Sequence, residues 1–223
     1  MALPFTVEQF LGVFARYNEA IWPAQVVAYV LGLAAVSLAL RRQPYSDRAI
    51  TGVLALFWVF VGAVYQATFF AAINPIAVAF GVLFLIEALV LGWAGVLHDW
   101  LAFTPDRSPR SLAGGFFVLY ALLIYPLLGL AFGHVYPEAP VFGVAPCPMV
   151  IFTFGMLMWT DARMPKWVLV VPLLWAVLGL SAATTLGMRE DLGLIAAAAA
   201  AAGFLLPRRT DAQLLGHTGG IPA

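Results

Sequence analysis

Charged residues are scarce in this sequence. Of its 223 residues only 10% are charged, whereas 63% are hydrophobic, and the mean hydropathy is +0.96. A soluble globular domain carries charge on about a quarter of its residues, so this composition excludes an ordinary soluble domain. The formal net charge is zero, and a chain without a basic surface lacks the electrostatic footprint of a nucleic-acid-binding protein.

Reactive groups and catalytic motifs are equally few. The sequence has one cysteine, Cys147, so no internal disulfide forms. Its sole lysine, Lys166, lies at the edge of an apolar run, which excludes a retinal Schiff base. There is no Gly-rich phosphate loop, no His-Glu-x-x-His, no Gly-x-Ser-x-Gly and no carboxylate pair at helical spacing within an apolar run. These absences favour a protein that is not an enzyme and give no reason to assign a cofactor or metal.

Long apolar runs are what the sequence has instead. A buried soluble helix rarely exceeds about 14 apolar residues, whereas a membrane-spanning helix needs roughly 17 to 25. We therefore predict an all-α polytopic transmembrane bundle of seven spans at 21–207, after an N-terminal segment at 1–20 and before a flexible tail at 208–223. The runs are 22–40, 49–70, 75–97, 112–132, 141–160, 167–185 and 192–206.

The cationic side chains predict how the bundle is oriented. Nine of the eleven follow the odd-numbered runs, and only Arg16 and Arg189 lie on the other side. By the positive-inside rule the N-terminus is then outside and the C-terminus cytoplasmic, in a multi-pass protein of the bacterial inner membrane. The nine are Arg41, Arg42, Arg48, Arg107, Arg110, Arg163, Lys166, Arg208 and Arg209.

The first twenty residues predict an amphipathic helix. Thr6 and Gln9 have the spacing of a capping box, and apolar residues from Val7 to Tyr17 form a broad face. The segment is not basic, so we expect the first run to be a retained anchor and not a cleaved signal peptide. The helix is either an interfacial anchor or a lid over the mouth of the bundle.

Glu87 is the clearest ionisable group inside a run. A carboxyl group near the middle of the membrane suits a proton relay or a cation site, or it is a neutral acid that hydrogen-bonds to another helix. The polar side chains that could partner it are Tyr65, Gln66 and Tyr120.

The fifth run contains a break. Pro146 and Pro148 flank Cys147, and neither proline fits a regular helix interior, so we expect an unwound backbone from about residue 141 and a helix from near Pro148. Such segments are tolerated where they line a cavity or are buried in protein. Cys147 is then a soft-metal ligand, a redox thiol or part of a structural kink, and Thr153 on the following helix is a further candidate cavity residue.

The seventh run is rich in alanine. The tract 196–202, with Gly193 and Gly203, predicts a thin helix that neighbouring helices approach closely.

Several segments resemble a known bacterial family. Residues 4–10, Ile73-Asn74-Pro75 and the segment around Pro146-Cys147-Pro148 together look like the DUF6064 family of uncharacterised integral membrane proteins. The resemblance implies a multi-spanning protein of the kind sometimes labelled a permease. It implies no catalytic residues.

Three functional hypotheses follow. The first is a small-solute or ion permease, which predicts an internal cavity reaching both Glu87 and Cys147. The second is a non-transporting accessory or scaffold protein with a dry interior. The third is a membrane enzyme, or a redox or metal protein, that uses Cys147. The expected partners are the lipid bilayer and a small solute or ion, and the sequence leaves oligomeric state open.

Overall fold

The computed structural model describes residues 4–161 and 164–206, and these form a bundle of eight helices without a β-strand. Arg163 and the tail at 208–223, with Arg208 and Arg209, lie outside the described residues. The helices are α1 (Val7–Ala20), α2 (Ala24–Leu40), α3 (Ser46–Ala72), α4 (Ala77–Leu97), α5 (Pro109–Ala131), α6 (Pro146–Leu157), α7 (Lys166–Thr185) and α8 (Leu192–Leu205).

The N-terminal helix α1 begins where its capping box predicts. The backbone N–H of Gln9 donates to Thr6 Oγ1 at 3.2 Å, and the N–H of Thr6 donates to Gln9 Oε1 at 2.9 Å. These two bonds satisfy donors that a helix start otherwise leaves free. The chain then bends by 84° before α2, so α1 lies across one end of the bundle.

Four helices are long and apolar enough to cross a membrane, namely α3, α4, α5 and α7, and a fifth span results if the bent pair α1 and α2 is taken as one. Helix length does not support the predicted seven spans. The helices α2, α6 and α8 have 17, 12 and 14 residues. At 1.5 Å per residue, α6 extends about 18 Å against a hydrocarbon core of about 30 Å. Hydropathy counted the irregular residues before Pro146 as part of this span.

The helices α2 to α8 run alternately between two ends of the bundle. At one end, which we call the basic end, Arg48 pairs with Asp99 at 2.6 Å and the N–H of Phe103 donates to Asp47 at 2.8 Å. Phe103 also forms an isolated bridge with Thr160. The links between α2 and α3, α4 and α5, and α6 and α7 therefore meet there.

The other links meet at what we call the acidic end. The Asn18 amide donates to the carbonyl of Pro137 at 2.6 Å, and the Tyr120 hydroxyl donates to the carbonyl of Glu190 at 2.8 Å. The segments α1, α5–α6 and α7–α8 are joined by these contacts. The sequence places five acids against two arginines at this end. They are Glu8, Glu19, Glu138, Glu190 and Asp191, with Arg16 and Arg189.

Helix α6 is the centre of the bundle. Every residue of it except Cys147 is buried, and it packs against α3, α5, α7 and α8. Gly114 of α5 and Gly155 of α6 let the two helices approach closely, since a Cβ added at Gly114 would lie 2.7 Å from the Gly155 carbonyl oxygen. In α8 the tract residues Ala197 and Ala201 are fully buried, which agrees with the packing role predicted for the alanines.

Candidate functional site

A cavity of about 160 Å³ lies at the acidic end, beneath α1. Its walls come from α3, α4, α5, α6 and α7, and the chain before and within α1 covers it. Eight of its eighteen lining residues are aromatic. The phenylalanines are Phe5, Phe10, Phe14, Phe70 and Phe80, and the other rings belong to Tyr65, Tyr125 and Trp175.

The aromatic face of α1 holds this helix over the cavity. The ring of Phe14 stacks on Tyr65 at 5.1 Å, and Phe10 meets Phe70 edge to face at 5.9 Å. The buried Tyr17 hydroxyl donates to the carbonyl of Val144 at 2.7 Å, which ties α1 to the chain just before α6. Of the two roles considered for this helix, the contacts favour a lid.

The irregular segment before α6 places Cys147 on the cavity. Ala145 is extended, with φ −106° and ψ 147°, and α6 begins at Pro146, two residues before the predicted start. Proline is tolerated in the first helical turn because the N–H it lacks would have no partner there. Gly143 has φ +75° and packs against Ala28 and Phe57. This geometry turns the chain into the bundle and leaves Cys147 half-buried, as the one residue of α6 with accessible surface.

The cavity also contains an acid that the sequence analysis missed. Asp191 is buried in the short 3₁₀ turn between α7 and α8, where its Oδ1 accepts the Tyr125 hydroxyl at 2.6 Å, and Cys147 lies against it. Burial raises the pKa of Asp191 to about 7, while the Tyr125 hydrogen bond lowers it in part. The sequence analysis looked for charges within apolar runs and therefore missed this residue, which lies between two of them.

Glu190 and His134 extend the acidic cluster away from the cavity. Glu190 is fully buried, and its Oε1 lies 2.7 Å from Nδ1 of His134. The available signal in the sequence was the pair Glu190-Asp191, which directly precedes an apolar run without a lysine beside it.

Two buried polar side chains on the cavity wall have no hydrogen-bond partner among the described residues. They are the amide of Gln66, of which neither atom is paired, and the indole N–H of Trp175, which has only the Cys147 sulfur, a weak acceptor, beside it. An unpaired buried polar group costs about 1–3 kcal/mol, so native structures contain few of them. Both groups lie on the wall of the cavity.

A π-helical segment of α3 puts Tyr65 and its neighbour Gln66 on the same wall. This segment, Val61–Phe69, has wider turns than an α-helix, and Tyr65 and Gln66 within it both line the cavity. π-Helical turns are rare and occur frequently at functional sites.

The structure brings four of the eight sequence-selected residues to the cavity: Tyr65, Gln66, Pro146 and Cys147. Pro148 is buried in the first turn of α6. The other three, Glu87, Thr153 and Tyr120, are also absent from the cavity lining. Tyr120 bonds to the Glu190 carbonyl, and the Thr153 hydroxyl accepts the Trp58 indole N–H at 3.1 Å and donates to Met149.

Glu87 is fully buried, and neither of its carboxyl oxygens has a hydrogen-bond partner among the described residues. It lies one helical turn beyond Phe84, whose ring packs on Trp58 and Trp175 at 4.6 and 4.8 Å. Glu87 does not line the cavity that contains Cys147, so this cavity does not reach both residues as the permease hypothesis predicted. Within the described chain no group of three or more His, Cys, Asp and Glu residues could hold a metal ion.

The model of DUF6064, a family of unknown function, matches residues 7–215 of the chain. The chain belongs to the DUF6064 family. This confirms the resemblance drawn from the sequence motifs. Neither the curated proteins nor the solved structures gave a match. The family description assigns no activity, so the site itself must carry any functional conclusion.

Proposed function

We propose that this DUF6064 protein is a multi-pass permease for a small solute and that the cavity beneath α1 is its binding site. The observation that carries the proposal is the pairing of an aromatic cavity with the unpaired Gln66 amide and Trp175 indole N–H on its wall. Ligand sites in proteins have this composition, namely apolar walls with a few convergent polar groups.

The size of the cavity limits the solute. An engineered apolar cavity of about 150 Å³ holds benzene, and the cavity here is about 160 Å³. A solute of roughly six to ten non-hydrogen atoms therefore fits without rearrangement of the walls.

The arrangement of the bundle suggests how the site opens. We place the acidic end outside and the basic end in the cytoplasm of a bacterial inner membrane, because seven alternating helices then leave nearly all cations inside. The short helices α2, α6 and α8 cross only with help from the irregular chain at their ends, which is tolerated where it is buried in protein or lines a cavity. α1 is the outer lid, and the rings of Trp58 and Phe84 close the path toward the inside.

Labelling of Cys147 in intact cells tests the binding cavity. We expect the small neutral reagent methyl methanethiosulfonate and its impermeant trimethylammonium-ethyl analogue both to modify Cys147, because the thiol is reached from outside when α1 lifts. Mass spectrometry measures the modified fraction. Failure of both reagents in the native protein, with labelling restored on denaturation, would contradict the proposal.

Matched variants measure the background labelling and test the orientation of the bundle in the membrane. The variant Cys147→Ser should not be labelled at all. In that background Glu138→Cys, which is exposed at the acidic end, should react with the impermeant reagent in intact cells, and Arg41→Cys, which is exposed at the basic end, only after permeabilisation. The reverse pattern at the last two positions would invert the proposed topology.

A non-transporting accessory protein is the second candidate. It is favoured by the filled region between the cavity and the basic end, where Thr153, Trp58 and Met149 are fully buried and joined by hydrogen bonds. The variant Thr153→Cys in the Cys147→Ser background separates the two functions. A permease that opens inward exposes this thiol to methyl methanethiosulfonate during its cycle, whereas a scaffold keeps it unreactive until it unfolds.

A further inference from the structure

The chemistry of the cavity wall identifies a class of solute. We propose that the cavity binds a small organic cation, a protonated amine attached to an aromatic or similarly apolar group. This inference rests on the proposed function, because it assumes that the cavity holds a solute.

The charge of the lining favours a cation. Asp191 is the one acid on the wall, and no lysine, arginine or histidine lines the cavity within residues 4–161 and 164–206. An anionic solute would therefore meet a carboxyl group with no compensating positive charge. An ammonium group beside Asp191 forms a charge-assisted hydrogen bond, which is roughly twice as strong as a neutral one.

Asp191 has room for such a donor. A carboxylate accepts at about four lone-pair positions, and the groups at Asp191 in the structure are the Tyr125 hydroxyl and the Cys147 thiol. The unpaired Oε1 of Gln66 is a second acceptor on the same cavity. An ammonium group has three donors and no acceptor, so these two oxygens match it.

The aromatic walls match the rest of the solute and also its charge. The cavity presents the rings of Tyr65, Tyr125 and Trp175 together with five phenylalanines. Aromatic faces attract a desolvated cation, and cages of this kind recognise ammonium ligands in other proteins.

The approach to the cavity carries charge of the same sign as Asp191. The exposed charges at the acidic end are Glu8, Glu19 and Glu138 against Arg16 and Arg189, while Glu190 is buried against His134. This small excess of negative charge favours the approach of a cation over that of an anion.

Protection of Cys147 in proteoliposomes tests the inference with three probes of nearly equal size: benzylammonium, benzyl alcohol and benzoate. Each is added before methyl methanethiosulfonate, which is neutral and so is not biased by Asp191, and the labelling rate of Cys147 is measured. We expect benzylammonium to halve the rate at a concentration at least about tenfold below that of benzyl alcohol, which corresponds to about 1.4 kcal/mol. Benzoate should not protect.

The variant Asp191→Asn should abolish this preference and bring benzylammonium to the level of benzyl alcohol. The matched control Glu138→Gln removes the same charge from an exposed position at the same end and should leave the preference within about twofold, because a solvent-exposed charge is screened. The comparison of the three probes on the native chain needs no variant, so it remains decisive even if Asp191→Asn fails to fold.

The outcomes separate this inference from the proposed function. Equal protection by benzylammonium and benzyl alcohol would overturn the cation class and leave the cavity as a binding site, with the Trp175 indole N–H as the donor for a neutral hydroxyl. Better protection by benzoate would overturn it as well. If methyl methanethiosulfonate does not reach Cys147 in the native protein, the binding site itself is absent and both proposals fall together.

Discussion

The molecule buries the acids Glu87 and Asp191 in different surroundings. Glu87 lies in the middle of α4, where neither of its oxygens has a hydrogen-bond partner among the described residues, and it does not line the cavity beneath α1. Asp191 lies in a turn between two helices, where it accepts the Tyr125 hydroxyl and faces the cavity. The acid inside a membrane run is a packed core group, and the acid from a loop forms part of the site.

This difference shows that the position of an acid within an apolar run is a poor guide to whether the acid belongs to a functional site. A carboxyl group without partners is costly to bury in the ionised form, so Glu87 is best accommodated as a neutral acid. A loop that folds back into the bundle delivers Asp191 to the same low-dielectric interior, and it meets partners from α5 and α6. Three predictions test the contrast between Glu87 and Asp191.

The largest expected effect is on the pH dependence of stability. The pKa of Asp191 is raised to about 7 in the folded protein, so between about pH 4 and pH 7 the folded state binds a proton that the unfolded state has lost. We expect the free energy of unfolding to fall as pH rises through this window, by an amount of the order of a few kcal/mol. Thermal unfolding in detergent from pH 4 to pH 8 measures it.

Other titratable groups surround Asp191 and require a control. Tyr125, Cys147 and Tyr65 lie near it on three helices, and Glu190 with its partner His134 lies on the other side. Comparison with Asp191→Asn subtracts their contribution. If the slope persists unchanged in that variant, Asp191 is not the group that titrates. Glu87 adds a slope of the same sign, because a carboxyl group that is neutral in the folded protein also holds a proton that the unfolded state has lost. Glu87→Gln should therefore flatten the dependence as well, and it is measured alongside Asp191→Asn.

The next effect concerns the Tyr125 hydroxyl. The variant Tyr125→Phe removes the donor to Asp191 and should lower the free energy of unfolding by about 1–3 kcal/mol at pH 8, where the carboxylate is ionised, and by less at pH 5. Thermal unfolding at both pH values gives the difference. The matched control is Tyr136→Phe, which removes an exposed hydroxyl with a long 3.4 Å contact to Asn18. Equal effects of the two variants would show that the Tyr125 hydrogen bond is not special.

The smallest effect is at Glu87. Replacing an unpaired buried polar group by an apolar one of similar shape is neutral or stabilising, so Glu87→Leu should leave the unfolding free energy unchanged or raise it by about 1 kcal/mol. Labelling of Cys147 should stay within about twofold of the native rate, since Glu87 does not touch the cavity. A loss of labelling would connect Glu87 to the site after all and erase the contrast with Asp191.

Features with local causes were predictable from the sequence. The start of α1 depends on Thr6 and Gln9 alone, and the irregular chain before α6 follows from Pro146 and Pro148, with an error of two residues in where the helix begins. Tyr65 and Gln66 were selected from the sequence as partners for Glu87, and the structure places them instead on the cavity with Cys147.

Features that depend on packing were not predictable. Hydropathy cannot tell a helix that crosses the membrane from a short buried one, so α6 was expected to span although it has 12 residues. Asp191 was missed because nothing near it in sequence marks a turn that folds inward: its partner Tyr125 is 66 residues away. Glu87 was overvalued because an acid in an apolar run stands out whatever surrounds it.

The wide turns of α3 set the angle between two surfaces of this helix, one that packs on α4 and one that faces the cavity. Gly62 packs against the backbone of α4 at Gly81, and a few residues later Tyr65 and Gln66 face the cavity. If the same residues were wound as an α-helix, the residue that the wide turns accommodate would rotate everything that follows by about 100° about the helix axis. Ala67 would then lose its contact with Gly81 of α4, and the amide of Gln66 would leave the cavity wall. The winding of this one helix therefore decides whether the cavity wall offers the Gln66 amide for hydrogen bonding or only apolar side chains.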